Sequence, residues 1–377
     1  MSQRKSQHYV PVFYLKYFSL NNDKKSIGLF NIQSEKFISG ASIKHQACRD
    51  YFYGTDGVIE ASLASLEERA AEVLGWMVKN NNHPPLLSKE HRVILVFAFL
   101  LHARTLETAE SLNEMVNQLV RHWFSRDPNF RNQLDTIKVG YPHPAQVALR
   151  YVAMALPLLT DLDFKIVLNA TSIPFLTSDQ PVVFYNQFFE GRRTWGSNTG
   201  LASKGLQVFF PISPKHLLIF FDKDVYKIYG VFHKPVPLSN QNDVNSINGL
   251  QFLNARSNIY FNHAIDEAYV QKLIIPLVQY RRGSRSSIHE YEEVGTDQNR
   301  KSLMVHLHKE DIKCNLKLEF IRWTKKARQF EIDNRAVYFR NEAMVRIFEE
   351  FWKMVQEGKY KRSQFYEFLK DRMKELG

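Results

Sequence analysis

Between residues 58 and 160 the apolar side chains recur every three or four positions, whereas from 163 to 262 they fall in short unbroken runs. The two periods require different backbones, so the chain is expected to place a helical layer against a sheet. Ile59, Leu63, Leu66, Ala70, Val73, Leu74 and Met77 mark one face of a first helix. Asn80-Asn81-Asn82-His83-Pro84-Pro85 ends it, because proline removes the donors a helix needs. Ser88 is placed to cap the next helix, with Glu90 in its first turn. Phe97, Leu101, Leu112, Met115, Leu119 and Trp123 continue that pattern and predict one helix of more than about 30 residues. A further helix is expected over Val147 to Leu159. The runs Lys165–Leu168, Val182–Tyr185, Gln207–Phe210 and Leu217–Phe221 are bounded by Pro, Gly, Asn or Asp and predict strands. The fold class is α+β, a helical layer (58–160) packed on a mainly antiparallel sheet (163–262).

The flanks are expected to differ from this centre. Ser26–Ile32 and Glu35–Ile38 have the pattern of a hairpin. Helical spacing returns around Asp243–Ala255 and Asp266–Val278. Residues 281–300 are polar, with like charges grouped, and are expected to link a core domain (1–280) to a basic C-terminal α/β extension (301–377). The extension should carry two amphipathic helices, near 341–356 and 362–375. Net charge is +11, and residues 280–377 contribute more than half of it, with 22 Lys and Arg against 16 Asp and Glu. Such a balance attracts polyanions, so nucleic acid is a candidate partner, although Lys and Arg never run beyond two in a row. A protein partner or a homo-oligomer is equally compatible. Two cysteines make neither a disulfide framework nor a zinc site. The start MSQRKSQ has no apolar signal core, and Val93–Leu101 is about half of a bilayer span. A soluble cytoplasmic protein with no membrane association is expected.

Chemistry is concentrated in a few short motifs. The N-terminal run His8-Tyr9-Val10-Pro11-Val12-Phe13-Tyr14-Leu15 is too aromatic for a frayed end and should pack into the molecule. His8 is a metal ligand, a general base, or a histidine satisfied by a carbonyl. Glu60 and Glu67 lie two helical turns apart on one face. Arg104 on an apolar helix needs a buried carboxylate, Glu67 or Asp179, or a ligand phosphate. His91 and His102 are too far apart along the helix to share one ion. Thr177-Ser178-Asp179-Gln180-Pro181 stands between two β-rich runs. Its Asp either binds a metal or acts as a base, or it closes a turn on its own backbone.

In this order and spacing, His8-x-x-Pro11-x-x-Tyr14-Leu15, Tyr53, Glu60 and Glu67, Arg104-Thr105, Ser178-Asp179-x-Pro181 and Pro211-x-Ser213-Pro214 resemble a mainly bacterial family, domain-of-unknown-function family 4238. The resemblance covers roughly residues 8–280. His102 stands where the family usually has glutamine, and Gln180 where it usually has asparagine. The resemblance implies no activity.

Absent motifs narrow the field further. No phosphate-binding P-loop, dinucleotide glycine fingerprint, His-Glu-x-x-His or nucleophile elbow occurs. Asp163-Phe164-Lys165 has the Asp-x-Lys form of metal-dependent nucleases, but no strand-end acid precedes it. Two functions stay open. In the first, the protein is a Mg²⁺- or Mn²⁺-dependent phosphodiesterase acting on nucleic acid. Asp179 and Glu67 would hold the ion and His8 would orient water. Arg104 would neutralise phosphate, with Tyr14, Thr105, Ser178 and Lys215 contacting substrate. In the second, the protein is a non-catalytic binding module in which the same polar residues form a structural network. Tyr185 and Trp195, beside a Gly-rich loop, would then offer stacking surfaces. Both expect His8, Glu67, Arg104 and Asp179 to converge, the first on an open cavity.

Overall fold

The unbroken apolar runs of the middle segment are buried on both faces, which is why they do not alternate. In the computed structural model, residues 5–127, 129–130, 134, 136–192, 197–229, 234–281, 286–294, 301–333 and 336–375 are described. The chain enters as strand β1 (Ser6–His8), turns through the short helix α1 (Val12–Leu15), and forms the hairpin β2 (Ser26–Asn31) and β3 (Lys36–Ser42). Strand β4 (Cys48–Asp50) returns antiparallel to β1. Four helices follow: α2 (Val58–Asn80), α3 (Lys89–Ala103), α4 (Leu106–Phe124) and α5 (Pro144–Ala155). Then come β5 (Asp163–Asn169), β6 (Thr177–Ser178), β7 (Val183–Tyr185), β8 (Gln207–Ser213), β9 (His216–Phe221), β10 (Tyr226–Ile228) and β11 (Val236–Leu238). Helix α6 (Gln241–Asn254), strand β12 (Asn258–Phe261) and helix α7 (Glu267–Ile274) complete this part.

Strands β11, β5, β9, β8 and β7 form the central sheet, in that order, antiparallel except for the β11–β5 pair. Its side chains divide by period two. Phe164, Ile166, Val208, Phe210, Leu218 and Phe220 join the N-terminal segment and the helical layer in one core. Val167, Phe209, Leu217, Ile219 and Phe221 join α6, α7 and later residues in a second. The α+β architecture is thus as expected, but the strands of 163–262 divide among three sheets, β10 standing apart from the central one. β6 and β12 leave the central sheet and extend the N-terminal hairpin, in the order β3-β2-β12-β6.

A second departure concerns the single long helix expected beyond Ser88. It breaks at residues 104 and 105. Arg104 leaves helical geometry with φ −92° and ψ 4°, and Thr105 becomes the cap of α4, its Oγ1 accepting from Thr108 N–H at 3.4 Å. Apolar spacing continues across the corner because both helices face the same layer, so periodicity alone hides it. The break turns Arg104 inward.

Residues 281–300, expected as a linker, contain strand β13 (Ser286–Val294), which pairs antiparallel with β14 (Lys301–Lys309). Beyond it, β15 (Ile321–Trp323) pairs with β10, and Ile312, Leu316, Leu318 and Ile321 lie in the second core. A short helix, α8 (Lys325–Arg328), follows. Arg340, with its side chain 2 % exposed, bonds Asp161 and the carbonyls of Leu158, Leu201 and Ser203. The helices α9 (Glu342–Gln356) and α10 (Phe365–Glu375) match the two amphipathic segments and pack through Phe351, Phe365 and Phe368. Among the described residues no helix is long and apolar enough to cross a membrane.

Candidate functional site

The N-terminal segment packs in one core with the helical layer and one face of the central sheet, and its main chain receives the side chains of Arg104 and Tyr53. Gln7 accepts Tyr53 N–H at 2.7 Å and donates to Gly54 O at 3.1 Å. His8 Nε2 donates to Lys44 O at 3.0 Å, so the ring fastens β1 to the turn before β4, and the carbonyl of His8 receives the Tyr53 hydroxyl. Bonding to a carbonyl is one of the three roles the sequence left open for this histidine. Arg104 donates through Nε to Tyr9 O at 3.1 Å and through Nη1 to Glu67 Oε1 at 2.7 Å. Its guanidinium is 2 % exposed and Glu67 28 %, so the pair joins a buried cation to a partly wet carboxylate. Tyr14 is fully buried. It donates its hydroxyl proton to Pro211 O and receives that of Thr177, both at 2.6 Å, and burial pushes its ionisation far above the tyrosine range.

Asp179 is reached from the other side. The loop between α6 and β12 presents three consecutive N–H groups to it: Arg256 to Oδ1 at 2.9 Å, and Ser257 and Asn258 to Oδ2 at 2.8 and 3.3 Å. Burial nevertheless pushes its carboxyl up to about 6, against the pull of those donors and with help from nearby Glu107. The burial of Tyr9 beside Asp179 raises the tyrosine strongly as well. Arg256 in turn pairs with Glu107 at 3.3 Å and with Glu110.

The segment 174–182 pairs with strand β12 at Thr177 and Ser178, and elsewhere a ladder of amides on α6 bonds its main chain. Asn248 accepts Leu176 N–H at 2.8 Å and donates to Pro174 O at 3.0 Å. Gln251 accepts the Ser178 hydroxyl at 2.9 Å and donates to Pro181 O at 2.9 Å. Asn254 donates to Gln180 O at 2.7 Å. Buried main chain must find partners, and these three amides provide them. The amides at 248, 251 and 254 recur every third residue within α6, a spacing visible in the sequence but indistinguishable there from a polar helix face. Among the described residues, the Gln180 amide itself and Arg104 Nη2 are buried with no hydrogen-bond partner.

The structure therefore joins Glu67 to Arg104 directly, and brings Asp179 close enough to Tyr9, whose carbonyl Arg104 holds, to act on it electrostatically. Arg104 and Asp179 are both buried, each 2 % exposed. Thr105 serves as the α4 cap and donates to His102 O at 3.1 Å. Lys215 lies apart and exposed in the β8–β9 turn, where Ser213 bonds His216 at 2.7 Å and His216 bonds Asn81 at 2.7 Å. Asp163 begins β5 and accepts the N–H of Phe164 at 2.8 Å. Tyr185 is buried, and Trp195 lies outside the described residues. Among the described residues, no group of three or more His, Cys, Asp or Glu is arranged to hold a metal ion.

A cavity of about 360 Å³ opens on the other side of the α3–α4 corner, between α4, α5, β7 and α6. Leu112, Val147, Val152 and Leu201 make it apolar, and His102 lies flat on Phe184 in its wall, with ring centres 4.0 Å apart. His102 Nδ1 donates to Val182 O at 3.1 Å, which fixes the ring against the same segment that carries Asp179. Thr108, Ser111 and Asn254 add polar groups. The loop 197–201 closes one side and is tied down at both ends. Asp311 accepts Ser197 Oγ, Thr199 Oγ1 and Asn198 N–H, each at 2.6 Å, while Arg340 holds Leu201 O at 2.7 Å. Neither Asp311 nor Arg340 belongs to a recognisable sequence motif.

A protein-family model described as "Protein of unknown function (DUF4238)" matches residues 6–264. No curated protein and no solved structure matches the chain.

Proposed function

The chain belongs to the DUF4238 family of proteins of unknown function, and from its geometry we propose that it is a non-catalytic binding module whose ligand is a small, largely apolar molecule. One observation carries this: a preformed cavity of about 360 Å³, apolar-walled with a few convergent polar groups, beside a polar motif that is itself engaged in holding main chain. Cavities of that size and lining are where small molecules bind. The alternative, a Mg²⁺- or Mn²⁺-dependent nuclease, requires carboxylate oxygens turned toward an ion. Here Glu67 receives Arg104, and Asp179 receives three N–H groups. Both carboxylates therefore favour the architectural role.

Val152→Trp tests the proposal by filling the cavity from α5. The neutral dye N-phenyl-1-naphthylamine, which fluoresces in apolar surroundings, is expected to bind the wild type and to bind the variant at least tenfold more weakly, at nearly unchanged melting temperature. Equal binding by both proteins sinks the proposal. So does cleavage of DNA or RNA with Mg²⁺ or Mn²⁺ that disappears in Asp179→Asn.

A further inference from the structure

We infer that a second groove binds an extended peptide by its C-terminal end. This goes beyond the reading of the cavity, with which the groove shares none of its described lining residues. The groove, of about 520 Å³, lies between α6, helix α7 with the residues after it, and residues 314–316.

Helix α6 carries the argument, because the chain already uses it to hold an extended main chain. Asn248, Gln251 and Asn254 bond the segment 174–182. Asn248 shows the manner: its carbonyl accepts Leu176 N–H at 2.8 Å and its amide donates to Pro174 O at 3.0 Å. A side-chain amide has the donor and the acceptor of a peptide group, so it pairs with main chain whatever side chains that chain bears. The row does not begin at 248. Asn242 and Asn245 continue it toward the start of α6 at the same three-residue step, about 4.5 Å along the axis. Both line the groove. Asn245 accepts the Tyr269 hydroxyl at 2.9 Å through Oδ1, which leaves its Nδ2 unengaged among the described residues. The exposed Asn242 side chain makes no hydrogen bond among them. Two rungs of a ladder that elsewhere grips main chain thus face a groove in place of a segment of the protein.

Charge sets which end of a peptide fits. Lys272, exposed on α7, is the one side chain ionised at pH 7 among the described lining residues, and it makes no ion pair among the described residues. Asp243, the acid in the first turn of α6, is turned away to the N–H of Glu319 at 3.0 Å. Amide N–H groups beside a cation match a terminal carboxylate, which only accepts. Ile173, Leu253, Leu273 and Leu277 supply apolar walls for the side chains that precede it.

A library of N-acetylated tetrapeptides, with Ala, Val, Leu and Ser randomised at every position, tests this. It is made once with C-terminal carboxylates and once as C-terminal amides, and selected on the full chain at pH 7 with a mass-spectrometric readout. The acids are expected to be retained at least fivefold over the amides. Lys272→Gln should abolish that preference, and Asn242→Ala should lower retention of the acids at least threefold. Both side chains are exposed, so neither change should move the melting temperature. Val152→Trp, which fills only the cavity, should retain the peptides as the wild type does. Equal retention of acids and amides, retention of neither, or a preference that survives Lys272→Gln overturns the proposal. So does a preference lost in Val152→Trp, because the peptide then sits in the cavity.

Discussion

The α3–α4 corner faces two regions that use the same residue types in opposite ways. On one side, Arg104 turns into the junction of helices and sheet, where Glu67, Gln7 and Asp179 are engaged with one another or with main chain. On the other side, His102 and Thr108 reach the cavity, whose walls are mainly apolar. The junction has the residues that look catalytic in a sequence, and the cavity has the room. Polar side chains gathered around an N-terminal segment are what a chain needs to bury that segment without orphaning its N–H and C=O groups. Chemical type alone therefore does not separate a site from a fastening; the partner of each polar atom does.

The contrast is most exposed to test at Glu67. Replacing it with Ala leaves the Arg104 guanidinium buried without its counter-ion. Breaking a buried pair in this way costs several kcal/mol, and the partial exposure of Glu67 reduces the expected loss to about 2–3 kcal/mol. Chemical denaturation should register that loss, while the affinity for N-phenyl-1-naphthylamine stays within a factor of two. A variant with normal stability and impaired binding would move the site from the cavity to the junction.

Histidine gives a smaller effect on the packed side. His91 is buried against Phe164 with ring centres 4.4 Å apart, and burial lowers its ionisation to about 4. The folded ring thus binds its proton less readily than the unfolded one, whose value is near 6.5. Its contribution is present above pH 6.5 and is lost as pH falls toward 4. Between pH 7 and pH 5 the loss is about 2 kcal/mol. His91→Gln should reduce the acid-induced fall in stability by that amount, measured by urea titration at both pH values. An unchanged acid limb would mean that the helix–sheet interface is wet enough to solvate an imidazolium.

Fold class was legible because it rests on period, and period survives in a single sequence. Four of the five central strands, α6 and the two C-terminal helices follow from it, whereas β11 (Val236–Leu238) was not anticipated. The corner at Arg104-Thr105 was not legible, since Phe97, Leu101, Leu112 and Met115 keep one apolar spacing while the backbone changes direction between them. Strand Ser286–Val294 was hidden for the opposite reason: its charged and polar residues read as linker, and its order comes from pairing with Lys301–Lys309. At the junction, Glu67 and Arg104 were recognisable as partners because a buried guanidinium demands a carboxylate. The cavity was not recognisable. Its walls come from α4, α5, β7, a loop and residues 310–312, and no local spacing relates Val152 to Asp311.

The smallest predicted effect decides most about the junction, because it turns on a sign. Burial raises Asp179 to about 6, while three N–H donors act to lower it. With burial dominant, the folded protein holds this proton more tightly than the unfolded chain, whose value is near 3.9. The charged form then costs stability above pH 6, and the cost is relieved as pH falls from 6 to 4. Asp179→Asn does not titrate. The wild type should therefore gain about 1 kcal/mol on the variant between pH 7 and pH 5, the reverse of the trend at His91. A loss in place of that gain would mean that the N–H donors outweigh burial and keep the carboxylate ionised well into acid. That is the state a divalent ion requires, and it would return Asp179 from the fastening of a loop to the ligation of a metal.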